Sequence, residues 1–365
     1  MSAPTTEGVA RVLVGYLREQ VERGWDVTLA CPGTGWLGEE AAALGVRVET
    51  WYAARAPGPG LAREVATLSR VVARDRPHAV HLHSAKAGLA GRLTVRGRRP
   101  TLFQPHAWSF LAATGALRTA SLLWERQAVR WTSELVCVSE SERRLGLAHG
   151  VSAPTTVVPN GVDLAGHRAG GTRARAAARA ALRLPDAPTV VCVGRLAPQK
   201  GQADLLAAWS AVRARVPDAR LVLVGDGPDR RRLEDSVQPG DGVDLVGARA
   251  DVPLWLAAAD VVAVPSRWEG MALVPLEAMA SARSVVATDV TGVADSVPCA
   301  AGAVVATGSP LALADAVVTR LLDPERADAE GRAGRAHVEA RHDAAASART
   351  VAEVTMRLAA APPVR

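Results

Sequence analysis

The sequence predicts an α/β protein built from two doubly wound domains, each a parallel sheet covered on both faces by helices. Three observations predict it. Short apolar runs rich in valine alternate with longer Ala-, Leu- and Arg-containing segments of helical period. Apolar strands in such an alternation mark parallel sheets buried on both faces. The series happens twice, on either side of a polar stretch, and 365 residues is the length of two ordinary domains.

The first series has strands predicted at 26–30 (DVTLA), 46–50 (VRVET), 78–82 (HAVHL), 100–104 (PTLFQ), 134–138 (ELVCV) and 155–158 (TTVV). Next comes "GHRAGGTRARAAARAALRLPDAP", 166–188, which is bounded by Gly and Pro and reads as a linker region holding a helix at about 172–183. The second series has strands predicted at 188–193 (PTVVCV), 220–224 (RLVLV), 243–246 (VDLV), 260–264 (DVVAV), 284–288 (SVVAT) and 303–306 (AVVA). The implied architecture is two domains facing a cleft. Ligands of such sheets sit beyond the carboxyl ends of the strands, so the loops just after each strand carry the information.

The beginning of the chain departs from the pattern. A doubly wound domain opens with a strand, a Gly-containing loop and a helix. Here "SAPTTEG" runs straight into the helical "VARVLVGYLREQVERG". Residues 1–6 contain a proline and no apolar alternation, so the first strand of the N-terminal domain is expected to be missing. Two explanations are open: a true start some ten residues upstream, or a domain that has lost the strand.

Composition excludes several classes. With 48% hydrophobic and 22% charged residues the chain is expected to fold around packed cores. Cys31, Cys137, Cys192 and Cys299 stand far apart without a C-x-x-C, which suits buried thiols in a reducing compartment. "MSAPTTEGVARV" lacks the basic start and apolar core of a secretory signal, and no run reads as a membrane span, so a soluble, cytoplasmic protein is expected. The net charge of +6 is uneven, with 19 basic against 14 acidic residues in 1–165 and 24 against 23 in the rest. Arg92, Arg96, Arg98 and Arg99 form the densest cluster, with Arg118, Arg126 and Arg130 further on. A solvated loop is one reading; a face for anionic lipid headgroups on the inner side of the cell membrane, or for an anionic acceptor, is the other. No nucleic-acid motif accompanies the charge, so nucleic acid is not expected as a partner.

Of 43 basic residues only Lys86 and Lys200 are lysine. Lysine offers a compact point charge on a flexible stem where arginine offers a planar fork. Lys200 lies in "VGRLAPQKGQ", with Arg195, between a strand end and the helical "QADLLAAWSAVRARV". Backbone N–H groups and the helix dipole favour phosphate there, and two added cations suggest a diphosphate; a basic surface loop is the alternative. "LVLVGDGP" carries Gly225 and Gly227 in a turn, but the third position of G-x-G-x-x-G is Arg230, so it is no dinucleotide fingerprint.

"PSRWEGMALVPLEAMA", 265–280, is the strongest piece. A helix starting near Pro275 leaves Glu269 in the loop mouth and puts Glu277 on the helix. Carboxylates accept hydrogen bonds from hydroxyls, which suits a sugar-like ligand. In the first half, "HLHSAKAG" alternates His81 and His83 on one strand face without a third ligand nearby, so a metal site is not expected. "FQPHAWSF" places His106 just after a strand with Trp108 beside it, and "VVPNGVD" holds the single asparagine, Asn160.

Together "HSAKAGLAGRL", "PHAWSF", "VCVSESE", "VVPNGVDL", "VGRLAPQKG", "LVLVGDGP" and the E-x7-E segment followed by "VVATDVTG" resemble the nucleotide-sugar glycosyltransferases of the GT-B fold, in particular the retaining group called glycosyltransferase family four. They stand in that family's order and cover most of the chain. The resemblance implies two Rossmann-like domains. An N-terminal acceptor-binding domain spans 1–165, with a C-terminal helix at about 345–365 packing back on it. A nucleotide-sugar-binding domain spans 166–344. It implies that Arg195 and Lys200 hold the donor diphosphate, that Glu277 binds the ribose hydroxyls and Glu269 those of the transferred sugar, and that backbone around Gly270, Met271 and Ala272 approaches the sugar-phosphate. His106 matches a cleft histidine beside the sugar, so His106, Arg195, Lys200 and Glu269 form the implied catalytic set. The base would lie near Gly247 to Arg249, and Gly8, Gly194 and Gly225 complete the donor side. Lys86, Trp108 and Asn160 are assigned to the acceptor side.

The sequence has no D-x-D pair. That agrees with a reaction needing no metal or other cofactor, in which cations and a helix dipole stabilise the leaving diphosphate. The acceptor would be a glycan, a lipid-linked glycan or a small molecule, in polysaccharide or glycoconjugate synthesis. The family's usual glycine and proline after the E-x7-E helix appear as Ala282 and Ser284, and a later glycine as Thr291, which leaves donor class firmer than donor identity. A sugar-nucleotide epimerase of the same fold and a non-catalytic partner subunit are the alternatives.

Overall fold

All twelve predicted strand runs become strands in the computed structural model, and every pairing is parallel. The structure describes residues 1–2, 8–33, 35–54, 58–167 and 170–360. The chain divides into two units, residues 1–160 with 344–365 and residues 161–343.

The first unit holds strands β1 (Thr28–Cys31), β2 (Arg47–Thr50), β3 (Val80–His83), β4 (Thr101–Gln104), β5 (Glu134–Cys137) and β6 (Thr155–Val157). Its helices are α1 (Gly8–Glu22), α2 (Trp36–Ala43), α3 (Leu61–Asp75), α4 (Ser84–Val95), α5 (Gly115–Ala128) and α6 (Glu140–Ala148). β1 pairs with β2, and β3 to β6 form a second sheet in chain order. The slot between them is occupied by Met1 and Ser2. Ser2 N donates to Ala30 O (3.0 Å), Met1 N to His81 O (2.8 Å) and His83 N to Met1 O (3.0 Å). The expectation that residues 1–6 leave the central place empty is therefore corrected for two of them: backbone alone meets a strand's hydrogen-bonding requirement, so a segment without apolar alternation can fill the slot. Residues 3–6 lie outside the described residues.

The second unit holds α7 (Thr172–Leu182), β7 (Thr189–Val193), α8 (Gln202–Arg215), β8 (Arg220–Val224), α9 (Arg230–Asp235), β9 (Val243–Gly247), α10 (Val252–Ala258), β10 (Val261–Val264) and α11 (Leu273–Ala280). It continues with β11 (Ser284–Thr288), α12 (Val293–Ser296), β12 (Gly302–Val305), α13 (Pro310–Leu322) and α14 (Pro324–Arg341). One six-stranded sheet runs β12-β11-β10-β7-β8-β9, the doubly wound order, reversing direction between β7 and β10. Alternate residues Val190 and Cys192, Leu221 and Leu223, and Val261 and Ala263 share one core with Leu205, Trp209 and Val212 of α8 and Leu313 and Val317 of α13. The last helix, α15 (Ala344–Ala360), belongs to the first unit, where Val351 and Val354 pack with Leu13 and Leu17 of α1.

Two further expectations are corrected. The segment 166–188 is not a linker. Its helix α7 places Arg175, Ala178 and Arg179 on one face, and Arg175 pairs with Asp260 (3.2 Å) and Asp328 (3.1 Å) while Arg179 reaches Asp260 and Ala258 O. Long arginine stems cover apolar surface as their heads pair, so an Ala/Arg pattern can be a domain helix. Arg92 is not part of a surface cluster either. It is fully buried, donates to Glu125 Oε2 (2.7 Å) and Gly88 O (2.7 Å), and lies 4.0 Å over the Phe103 ring. Arg96 and Arg98 stay exposed and donate to carbonyls at the end of α4.

α11 ends in a complete Schellman motif, with Ala282 N donating to Met279 O (2.9 Å) and Arg283 N to Ala278 O (2.9 Å). Ala282 itself stands at φ +55°, the left-handed conformation that glycine takes without cost. Ala282→Gly is therefore expected to stabilise the chain by about 0.5–1 kcal/mol, read as a higher denaturation midpoint in urea at unchanged slope.

Candidate active site

The strand order of the second unit brings the loops after β7 and β10 side by side at the carboxyl ends of the sheet. The first loop carries Gly194, Arg195 and a single turn at Pro198–Lys200 before α8; the second runs from Pro265 to Ala272 before α11. Lys200 Nζ lies 2.6 Å from Glu269 Oε1. The same oxygen accepts from Ser266 Oγ at 2.8 Å, and Gln199 Nε2 approaches Glu269 Oε2 at 3.5 Å. Gln199 also donates to Trp268 O (3.1 Å) and accepts from Arg195 Nη2 (3.2 Å), while Gln202 holds Arg195 O at 3.0 Å. Arg195, Gln199, Glu269 and Lys200 thus form one hydrogen-bonded chain across the two loops.

Two glycines admit close backbone contacts here: Gly201 brings the β7 loop against the β10 loop, and Gly225, after β8, packs on the β7 loop. Gly201 has φ +66°, and a Cβ there would stand 1.9 Å from Pro265 O. A Cβ on Gly225 would stand 2.0 Å from Gly194 O. Backbone-to-backbone contact of this kind admits no side chain. Gly225 is thus explained by loop packing, before any ligand is considered.

α11 starts at Leu273, two residues before the expected Pro275, which still sits in the first turn where its missing N–H costs nothing. Gly270, Met271 and Ala272 lead into this helix; Met271, Ala272 and Glu277 are buried, Glu277 lying within α11. The helix N-termini of α8 and α11 follow the two loops, so the place combines cations, free backbone donors and buried carboxylates. That suits a ligand carrying both concentrated negative charge and hydroxyl groups. Further along the sheet edge, Gly247 ends β9 and the Arg249 guanidinium pairs with both oxygens of Asp251 at 3.0 Å.

His106 belongs to the first unit. It follows β4 at φ +57°, and its Nε2 lies 3.1 Å from His83 Nδ1. His83 is 3.9 Å from the His81 ring, and Tyr16 flanks both. Burial holds all three imidazoles neutral, with His106 lowered to about 3 and His81 and His83 well below the ordinary value. Gly8 opens α1, and Asn160 is buried at the end of this unit's main segment. Two residues assigned to the acceptor side lie in the core. Trp108 is 1% exposed, stacks on Phe110 and donates its indole N–H to Glu142 O (2.8 Å). Lys86 is buried in an ion pair with Glu64 (2.8 Å). In both, an apolar body or stem is placed in the core and the polar tip finds an internal partner.

Residues 6–165 match the family model described as Glycosyltransferase Family 4, and residues 187–323 that described as Glycosyl transferases group 1. The GDP-mannose-dependent alpha-(1-6)-phosphatidylinositol monomannoside mannosyltransferase of Mycobacterium tuberculosis is 33% identical over 329 residues, 84% of this chain and 83% of that protein. The chain belongs to glycosyltransferase family 4. An Escherichia coli UDP-Gal:alpha-D-GlcNAc-diphosphoundecaprenol alpha-1,3-galactosyltransferase is 26% identical over 309 residues, 79% of this chain and 78% of that one. Among solved structures, sucrose-phosphate synthase from Thermosynechococcus elongatus superposes with a TM-score of 0.84 at 25% identity, covering 99% of this chain and 96% of that one. Anabaena HepE in complex with UDP and glucose superposes with a TM-score of 0.82 at 21% identity, covering 96% of each. The fold is GT-B, and the activity is that of a glycosyltransferase using a nucleotide-sugar donor.

In this family 4 glycosyltransferase, sequence reasoning missed Gln199 and Ser266, the two groups that orient Glu269. A signal existed: both are polar and lie within three residues of Lys200 or Glu269. It also missed the N-cap of α6, in which Ser139 accepts from Glu142 N (2.9 Å), while the Glu142 carboxylate accepts from Val138 N (2.8 Å).

The neutral histidines make the glycosyltransferase sensitive to acid. The unfolded chain protonates these imidazoles below about pH 6.5 while the folded one does not, so stability is present above that pH and falls as pH drops. Glu142, raised by burial to about 7, acts in the opposite sense but is one group against three. The thermal midpoint is expected to fall between about pH 6.5 and pH 5, and His81→Leu to make that fall shallower.

Proposed function

We propose that this glycosyltransferase moves mannose from GDP-mannose to a lipid-borne acceptor, with retention of configuration and without a divalent metal. The hydrogen-bonded chain Arg195–Gln199–Glu269–Lys200, set where the strand order reverses, carries the reading. Arg195 and Lys200, with the N-terminus of α11 behind Gly270, Met271 and Ala272, take the diphosphate and stabilise the charge that develops on it as the glycosidic bond breaks. Gly194 and Gly225 keep backbone close to it. Glu269 meets hydroxyls of the sugar, Glu277 those of the ribose, and the turn at Gly247 to Arg249 lies at the base. Cationic residues and helix dipoles supply what a metal supplies elsewhere, in keeping with the absence of a D-x-D pair.

Mannose and the lipid acceptor are supported by relatives. The M. tuberculosis protein is named for GDP-mannose and a phosphatidylinositol mannoside, and the E. coli protein for a diphosphoundecaprenol acceptor. We accordingly propose that the reaction takes place at the inner face of a membrane. The test is nucleotide release from a panel of GDP- and UDP-sugars, with phosphatidylinositol mannoside and polyprenyl-diphosphate acceptors, in chelator. We expect GDP release from GDP-mannose that depends on the lipid acceptor and persists in chelator, with an α-linked product by NMR. Release from UDP-sugars alone, restoration only by Mg or Mn, or an inverted linkage would each overturn the corresponding part.

Lys200→Ala is expected to lose about 2–4 kcal/mol of transition-state stabilisation, as for one charge-assisted contact to a developing anion. Lys200→Arg should recover part of it, because a planar fork does not fit where a point charge pairs with Glu269. Both effects are read from kcat/KM with the midpoint of thermal unfolding as control.

A further inference from the structure

Gln199 stands between the two groups that the proposed reaction directs to different parts of the donor. Its Oε1 accepts from Arg195 Nη2 at 3.2 Å, within the β7 loop. Its Nε2 donates across to the β10 loop, to Trp268 O at 3.1 Å and to Glu269 Oε2 at 3.5 Å. This is the orientation of the amide that its surroundings satisfy. Turned over, the N–H groups would face a guanidinium and the oxygen would face two oxygens. The backbone of the residue is held as well, because Gln199 O accepts from Arg267 N at 2.7 Å. Arg267 in turn forks onto both oxygens of Asp204 in the first turn of α8, at 2.9 and 2.7 Å. Both N–H groups of the Gln199 amide thus end on protein oxygens, and no donor is left over for a substrate.

We propose that Gln199 is a positioning residue, which touches no part of the donor and sets the separation between the phosphate-binding arginine and the sugar-binding glutamate. The role rests on the assignment of Arg195 to the diphosphate and Glu269 to the sugar made above. Breaking the bond between sugar and diphosphate requires both ends of the donor to be held at once. A misplacement of about 1 Å between them costs on the order of 100-fold in rate. Lys200 also bridges to Glu269, but that ion pair parts when the ammonium turns to phosphate, whereas the amide link does not depend on a group that leaves. A nucleoside diphosphate without its sugar engages the arginine side alone and has no use for the separation. Loss of Gln199 therefore falls on the chemical step and spares nucleotide binding.

The test uses the full chain with whichever nucleotide sugar the panel above shows it to turn over. Gln199→Met keeps the length of the side chain and removes its polar atoms. We expect it to lower kcat about tenfold, with KM for the donor within about twofold of the parent. The affinity for the free nucleoside diphosphate, by titration calorimetry, and the thermal midpoint should both stay at the parent's values. In a Glu269→Gln background the same substitution should cost about twofold or less in kcat, because its effect runs through the carboxylate. A fall in nucleotide affinity that matches the fall in kcat would overturn the inference, since that is the mark of a general loosening of the loop. So would a tenfold cost that persists beside Glu269→Gln, or a Gln199→Met enzyme as active as the parent. Failure of the underlying assignment looks different: Arg195→Ala and Glu269→Gln would themselves leave kcat/KM unchanged, and the role of Gln199 would fall with it.

Discussion

The reversal of strand order between β7 and β10 is the constraint on which the second unit depends. Connections from these two neighbours leave in opposite directions, so no helix covers their carboxyl ends. α8, after β7, joins the core shared with α13, while α11, after β10, packs on α14. The crevice left between the two loops would collapse or fill with side chains if the loops could not touch. Gly201 against Pro265 lets backbone meet backbone there, and the side chains that converge are polar. The crevice thus exists because of topology, and its chemistry because of a handful of residues at two loop ends.

The arginine-rich composition becomes intelligible from the buried ion pairs. Arg175 and Arg179 share Asp260, Arg92 reaches Glu125, and Arg320 forks onto both oxygens of Glu330. A fork that satisfies two acceptors in fixed geometry suits such sites. Ser284, where the family usually has proline, donates to the same Glu330 and accepts from Arg320, so the departure is tied to a network that a proline could not join. The two lysines stand apart from this usage: each pairs with one glutamate, Lys86 with Glu64 and Lys200 with Glu269.

Strands were legible because a parallel strand largely buried on both faces is mostly apolar and short, and turn residues bound each run. The Glu269 and Lys200 loops were legible as strand-to-helix junctions. Positions set by tertiary contact were not. Arg92 looks like its neighbours Arg96 and Arg98 in a linear reading, and only its place against Phe103 and Glu125 sets it apart. Trp108 stands beside His106 in the sequence, yet the backbone at His106 and Ala107 turns through positive φ and the indole lies inward. The α7 helix carries too few apolar residues to announce burial, since arginine stems cover its contact face. Met1 and Ser2 act through backbone alone, about which a side-chain pattern says nothing.

The Lys200–Glu269 pair poses a question for the proposed reaction, because one residue is assigned to phosphate and the other to sugar while each is engaged with the other. The geometry answers it. Lys200 is partly open to solvent and Glu269 nearly closed, so the ammonium is the member able to reach a ligand without stranding a bare charge in the interior. Glu269 keeps Ser266 and Gln199 when the lysine turns, and its carboxylate loses one donor among three. A diphosphate offers the ammonium more negative charge than a carboxylate does, and sugar hydroxyls can replace on Glu269 the donor that leaves. Before the donor arrives the pair holds both groups in place and keeps either from being buried uncompensated. In the proposed reaction the two halves of this ion pair part toward two ends of one substrate.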